Sequence, residues 1–170
     1  MDKKFKGVYT VVCTAFDEKG NVDEQALRRL IRFQLDDCKV NGIIPCGSTG
    51  EFAFMTPQEL KQVVAITLDE VKGMVPVFAG SAACATSEVI ETANIYKEMG
   101  VNGIMVVPSY YGHLNQDELH GHYADIAINV DLPIIVYNNP GTSHSDILPE
   151  TVAKLANKFK NIAAIKESTG

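Results

Sequence analysis

The sequence predicts an α/β protein built on parallel strands, and three observations predict it. Apolar segments rich in Val and Ile begin at Val8, Gly42, Val75, Gly103, Leu132 and Asn161, about thirty residues apart, the length of one βα unit. Several of these runs are almost unbroken, as strands covered on both faces require. Helical patterns fill the intervals between them.

The elements follow in order. VYTVVCTAF, from Val8, is the first strand. After Asp23, the stripe Leu27, Leu30, Ile31 and Leu35 marks a helix by its spacing of three and four residues. GIIPC is the second strand, and Thr56-Pro57-Gln58-Glu59 then supplies a cap, a first-turn proline and the capping-box glutamate. VPVFAG is the third strand; Thr86 or Ser87 opens a helix that Gly100 closes. GIMVVP is followed by a helix opening at Asn115, and LPIIVY by one beginning at Pro149. NIAAIK is the sixth strand. Two architectures use such repeats, a doubly wound open sheet and a (β/α)8 barrel. A complete barrel typically needs about 250 residues, more than residues 1–170 supply, and both architectures stay open at this point.

Composition narrows the class. The 170 residues are 46% hydrophobic and 21% charged, with a formal net charge of −6. Gly at 13, Pro at 7 and Cys at 4 exclude collagen-like, disordered and disulfide-scaffold chains. No apolar run approaches the roughly 20 residues of a membrane span, and the acidic balance lacks the footprint of a nucleic-acid binder. The start, MDKKFKGVYTVVCTAF, runs into a strand pattern rather than a signal peptide, so a cytoplasmic protein is expected. Cys13, Cys38, Cys46 and Cys84 show no C-x-x-C spacing and read as small buried hydrophobes. His120 and His122 lie on a helical stretch, where i and i+2 diverge. Neither a metal nor a cofactor is called for.

In either architecture function gathers at the carboxyl ends of the strands. There the chain places Gly47-Ser48-Thr49-Gly50-Glu51, Ser109-Tyr110-Tyr111, Tyr137-Asn138 and Lys166-Glu167-Ser168. The set holds hydroxyls, tyrosines and one lysine, without a nucleophile–histidine pair or a carboxylate cluster. GSTGE reads either as an anion cradle of backbone N–H groups and two hydroxyls, or as a tight turn in which Gly47 and Gly50 take positive φ. Lys166 closes an apolar strand. It either reaches solvent or serves as an amine nucleophile that forms a Schiff base with a ketone, given a dry site. Tyr137, at the end of the preceding strand, suits proton transfer to a carbinolamine. Ser48, Thr49 and Tyr111 are candidate relays.

CTAFDEKGNVD, PCGSTGEF, VFAGSAACAT, VVPSYYGHLNQDEL, IIVYNNPG and AAIKESTG together resemble the dihydrodipicolinate synthase / N-acetylneuraminate lyase family, in family order along the whole chain. The resemblance implies a (β/α)8 (TIM) barrel, Schiff-base chemistry on pyruvate or another 2-keto acid, and homotetramers built as dimers of dimers. It implies a chain continuing for two more βα units and C-terminal helices. By the same resemblance Lys166 is the Schiff-base lysine and Tyr137 the proton-shuttling tyrosine. Ser48 joins the proton relay, Thr49 helps hold the substrate carboxylate within the Gly47–Gly50 turn, and Tyr111 reaches into a partner subunit's site.

One position departs from that pattern. Synthases of this family carry an arginine in the turn after the fifth strand, where NNPGTSHSD places Thr142. The only arginines are Arg28, Arg29 and Arg32 on the first helix, so a bidentate carboxylate anchor is missing from this turn. The departure favours a lyase or aldolase over 4-hydroxy-tetrahydrodipicolinate synthase. Two other readings stand beside the enzyme: an inactive truncated fragment, and a doubly wound module using GSTGE to bind a small anion. Strand order separates the last from a barrel.

Overall fold

Parallel strands in sequential order carry the chain. The structure, a computed structural model, describes residues 5–169. It falls into two compact units: the first runs up to Gly80 and includes Met99–Asn102, and the second holds Ser81–Glu98 and the residues from Gly103 onward.

In the first unit β1 (Tyr9–Val11) pairs in parallel with β2 (Gly42–Ile44), Tyr9 opposite Gly42 and Val11 opposite Ile44. β3 (Phe78–Gly80) continues the order beside β2, joined by the parallel bridge of Ile43 to Val77 and by Gly80 N–H to Pro45 O at 2.9 Å. β1 is shorter than the Val8–Phe16 run suggested. The chain leaves the ladder for a turn in which the Asp17 carboxylate accepts from Lys19 and Asn21 N–H, and Phe16 bridges back to Val22.

α1 (Glu24–Arg32) starts where Asp23 accepts from Ala26 N–H. It runs on as a π-helical turn, Phe33–Asp37, burying Leu27, Ile31 and Leu35. α2 (Pro57–Val71) carries the expected capping box of Thr56 and Glu59 with Pro57 in the first turn. The two helices pack together, and two of the three arginines find their partners there. Arg28 meets Asp69 at 2.5 Å and Glu70 at 2.9 Å, and Arg32 also binds Glu70. The Arg32 and Arg28 hydrogen bonds hold the Glu70 carboxyl below its ordinary range.

In the second unit β4 (Gly103–Val106), β5 (Ile134–Asn138) and β6 (Ile162–Glu167) form a parallel ladder in that order. Neither unit contains a reversal of strand order, as a doubly wound switch point would need. α3 (Thr86–Met99), α4 (Gln116–Asn129) and α6 (Pro149–Lys158) bury Val89, Leu119, Ile126 and Leu155, and a short α5 (Pro140–Ser143) intervenes. Asn115 and Glu118 make a second capping box, and Gly100 after α3 has φ +97°. Tyr123 is fully buried and donates to Val106 O at 2.9 Å, as a buried phenol must. Among the described residues no helix is long and apolar enough to cross a membrane.

The cysteines correct one expectation. Only Cys46 is buried; Cys13, Cys38 and Cys84 are exposed. Apolar neighbours in sequence do not fix which side of a loop or short strand a side chain takes.

Candidate active site

β5 and β6 end together, and that register builds the site. Tyr137 lies opposite Lys166, and Asn138 opposite Glu167. Paired residues of parallel strands share a face, and successive residues alternate, so the first pair faces one side and the second pair the other. Lys166 Nζ stands over the Tyr137 ring, 3.4 Å from its centroid. Tyr137 is only 5% exposed, whereas Lys166 is half-buried. An ammonium over a tyrosine face is held by the ring quadrupole, and the geometry delivers the amine to the phenol's side of the sheet.

The opposite face anchors this pair. Asn138, 1% exposed, donates to Asp146 Oδ1 at 2.8 Å and to the Glu167 carboxylate at 3.0 Å, and accepts from Ile147 N–H. Glu167 also accepts from Ser168 and Thr169 N–H. The Asn138 contact first, then those backbone donors, holds the Glu167 carboxyl below its ordinary range. The strand end that carries Lys166 is thereby tied to the loop after β5.

Asn139 follows on. Its Nδ2 donates to the Tyr137 phenolic oxygen at 3.0 Å and to Thr142 Oγ1 at 3.1 Å. Thr142, the residue in the arginine position, is therefore tied to the same network as Tyr137. The sequence places Asn138 and Glu167 at the strand ends without a role and leaves Asn139 out altogether. The signal was two adjacent amides between a strand and a proline, which also reads as ordinary turn chemistry.

The GSTGE turn belongs to the first unit. Ser48–Gly50 make a single 3-10 turn, in which Gly50 N–H bonds Gly47 O and Glu51 N–H bonds Ser48 O. Those two N–H groups close the turn itself, leaving the exposed Ser48 and Thr49 hydroxyls as its outward groups. Positive φ falls on Cys46 (58°) and Glu51 (60°), while Gly47 is extended at φ −83°. The expectation that Gly47 and Gly50 serve positive φ is thus corrected. Gly50 is required for space, since a Cβ there would sit 3.0 Å from Val12 O.

In the second unit Tyr111 is 89% exposed. Tyr110, beside it, is half-buried, and burial with the neighbouring Cys84 raises its phenol. His122, on α4 as its helical spacing predicts, is buried and shares a hydrogen bond at Nδ1 with Thr86 Oγ1 at 2.9 Å. Among the described residues no three His, Cys, Asp or Glu side chains gather to hold a metal.

The family model of the dihydrodipicolinate synthetase family matches residues 4–170. The chain belongs to that family. A similar curated protein is the 4-hydroxy-tetrahydrodipicolinate synthase of Syntrophus aciditrophicus, 43% identical over 166 residues, covering 98% of this chain and 56% of the relative. Among solved structures, a dihydrodipicolinate synthase from Acinetobacter baumannii complexed with pyruvate superposes with a TM-score of 0.92 at 32% identity, over 96% of this chain and 55% of that one. CdNal from Clostridium difficile, solved with mannosamine, gives a TM-score of 0.92 at 29% identity, over the whole of this chain and 58% of that one. The chain spans about half the length of the curated relatives it matches. Its fold class is that of the family's TIM barrel, of which it carries five βα units and a sixth strand.

Proposed function

We propose that this chain carries the Schiff-base half of a class I lyase or aldolase acting on pyruvate or another 2-keto acid. The single observation supporting the reading is the Lys166 amine 3.4 Å from the Tyr137 ring centre at paired strand ends. The pyruvate complex of a family member accords with it. Neutral Lys166 Nζ attacks C2 of the keto acid, forming an N–C bond as the carbonyl π electrons move to oxygen. A proton then passes from the adduct nitrogen to that oxygen, giving the neutral carbinolamine; its hydroxyl takes a second proton from Tyr137 and leaves as water, while the freed nitrogen lone pair closes the C=N bond. The iminium then accepts the electrons of a breaking C–C bond, or of a C3–H bond whose proton returns to the Tyr137 phenolate. The family resemblance alone supplies the further roles, Ser48 and Tyr111 as proton relays and Thr49, within the Gly47–Gly50 turn, as a carboxylate grip. The exposure of Tyr111 suits reach toward a second copy of the chain, in a cytoplasmic homo-oligomer.

The test is trapping. Pyruvate with borohydride is expected to leave one reduced pyruvyl group on Lys166, seen by intact mass and peptide mapping and absent in Lys166→Ala. An unchanged mass overturns the reading for this chain and favours the inactive fragment. The second reading, a 4-hydroxy-tetrahydrodipicolinate synthase, is favoured by the names of the curated relatives. Thr142 in the arginine position speaks for the lyase. Formation of 4-hydroxy-tetrahydrodipicolinate, against release of pyruvate from N-acetylneuraminate, separates the two.

A further inference from the structure

We propose that Asn139 is a positioning residue for this chemistry: its side-chain amide holds the Tyr137 phenol as the proton donor to the carbinolamine, an inference that rests on the Schiff-base reading above. Nδ2 has two protons, and both are placed, one on the Tyr137 oxygen at 3.0 Å and one on Thr142 Oγ1 at 3.1 Å. The backbone beneath the amide is held as well. Asn139 O accepts from Thr142 N–H at 3.0 Å, Ser143 N–H at 2.9 Å and Ser143 Oγ at 3.0 Å, and Pro140 opens α5 immediately after it. Ser143 itself is fully buried.

A donor aimed at a phenolic oxygen stabilises the phenolate more than the phenol. The developing negative charge on Tyr137, as its proton passes to the departing hydroxyl, is met by an N–H already in place, without reorganisation during the step. When the phenolate takes the C3 proton back, the same N–H remains on the same oxygen. Thr142 fits this account: a small hydroxyl accepts the second amide proton, where a long guanidinium would compete as a donor.

The decisive variant is Asn139→Asp, which keeps the size and turn preference of asparagine but replaces the donor by a charged acceptor. With 13C-labelled tyrosine, the Tyr137 ring carbon bearing oxygen is expected to titrate at higher pH than in the unsubstituted protein. Borohydride-trapped adduct formation with pyruvate should slow by roughly ten- to a hundredfold, while pyruvate affinity falls less than about threefold. Asn139→Ala, which removes the donor without adding charge, is expected to move both readouts in the same direction by less, and serves if the aspartate unfolds the turn. A Tyr137 titration unmoved in the folded variant overturns the proposal, as do equal losses of rate and affinity. Absence of any adduct in the unsubstituted protein overturns the Schiff-base reading, and this inference with it. An adduct that forms at the same rate in both variants overturns the inference alone.

Discussion

Tyr137 does two separable things, and one atom divides them. Its ring face holds the Lys166 ammonium, and its oxygen meets the Asn139 amide. Tyr137→Phe keeps the face, since a phenyl ring retains most of the cation–π attraction, and removes the oxygen. Adduct formation is expected to slow on the order of a hundredfold with a much smaller loss of keto-acid affinity, compared by trapping kinetics and equilibrium titration. Equal losses would remove the proton-transfer role. That Lys166 and Tyr137 would be neighbours was legible in the sequence, because a charge and a phenol end successive apolar runs. Asn139 was not, because an amide before a proline carries the same signal whether it shapes a turn or serves a neighbour. Gly50 reads as a positive-φ turn residue although it serves space, because glycine answers two different needs, backbone angle and room for a close neighbour. The approach of Val12 O to Gly50, with positive φ at Cys46 and Glu51 instead, shows which applies.

Helices were the most legible elements, since their ends are written in side chains. Asp23, Thr56 and Asn115 cap where their spacing predicts. β1 was less so, because an apolar run does not say where its ladder partner stops. Least visible was the packing of one helix on another, as at His122 of α4. Its Nδ1 pairs with Thr86 at the start of α3, its Nε2 is buried without a hydrogen-bond partner, and its ring meets Tyr123 edge-on. Burial pulls its pKa down to about 4, against a smaller opposing pull from Asp125. In the unfolded chain the imidazole takes up its proton near pH 6.5. The neutral, buried form therefore leaves stability whole above about pH 6.5 and drains it as pH falls toward 4. The loss is on the order of 3 kcal/mol at the acid end of that window. His122→Gln, which can still bond Thr86 but does not titrate, is expected to flatten the fall of Tm between pH 6.5 and 4. An unchanged slope would assign the acid sensitivity to other groups.

At the level of the whole chain, the number and spacing of the strands were foreseeable from the thirty-residue rhythm, whereas their order, which a doubly wound sheet and a barrel do not share, and their unequal cover were not. β4 is buried throughout and β5 nearly so, whereas Ala163, Ala164 and Ile165 of β6 are exposed. Among the described residues β5 has ladder partners on both sides, and β6 pairs with β5 alone. An edge strand leaves alternate N–H groups without a ladder partner, and local opening there needs fewer contacts to break. Amide hydrogen exchange of this chain should therefore be about tenfold or more faster across Ala163–Ile165 than across Ile134–Val136. Asn138, bonded to Glu167 and accepting Ser168 N–H at its carbonyl, clamps the far end of β6, so protection is expected to recover at Lys166–Ser168. Under the Schiff-base proposal, such a gradient would hold the lysine against Tyr137 while the middle of its strand opens. Uniform protection along β6 would mean that its outer edge is covered in solution, and sedimentation velocity would then show whether a second copy of the chain supplies the cover.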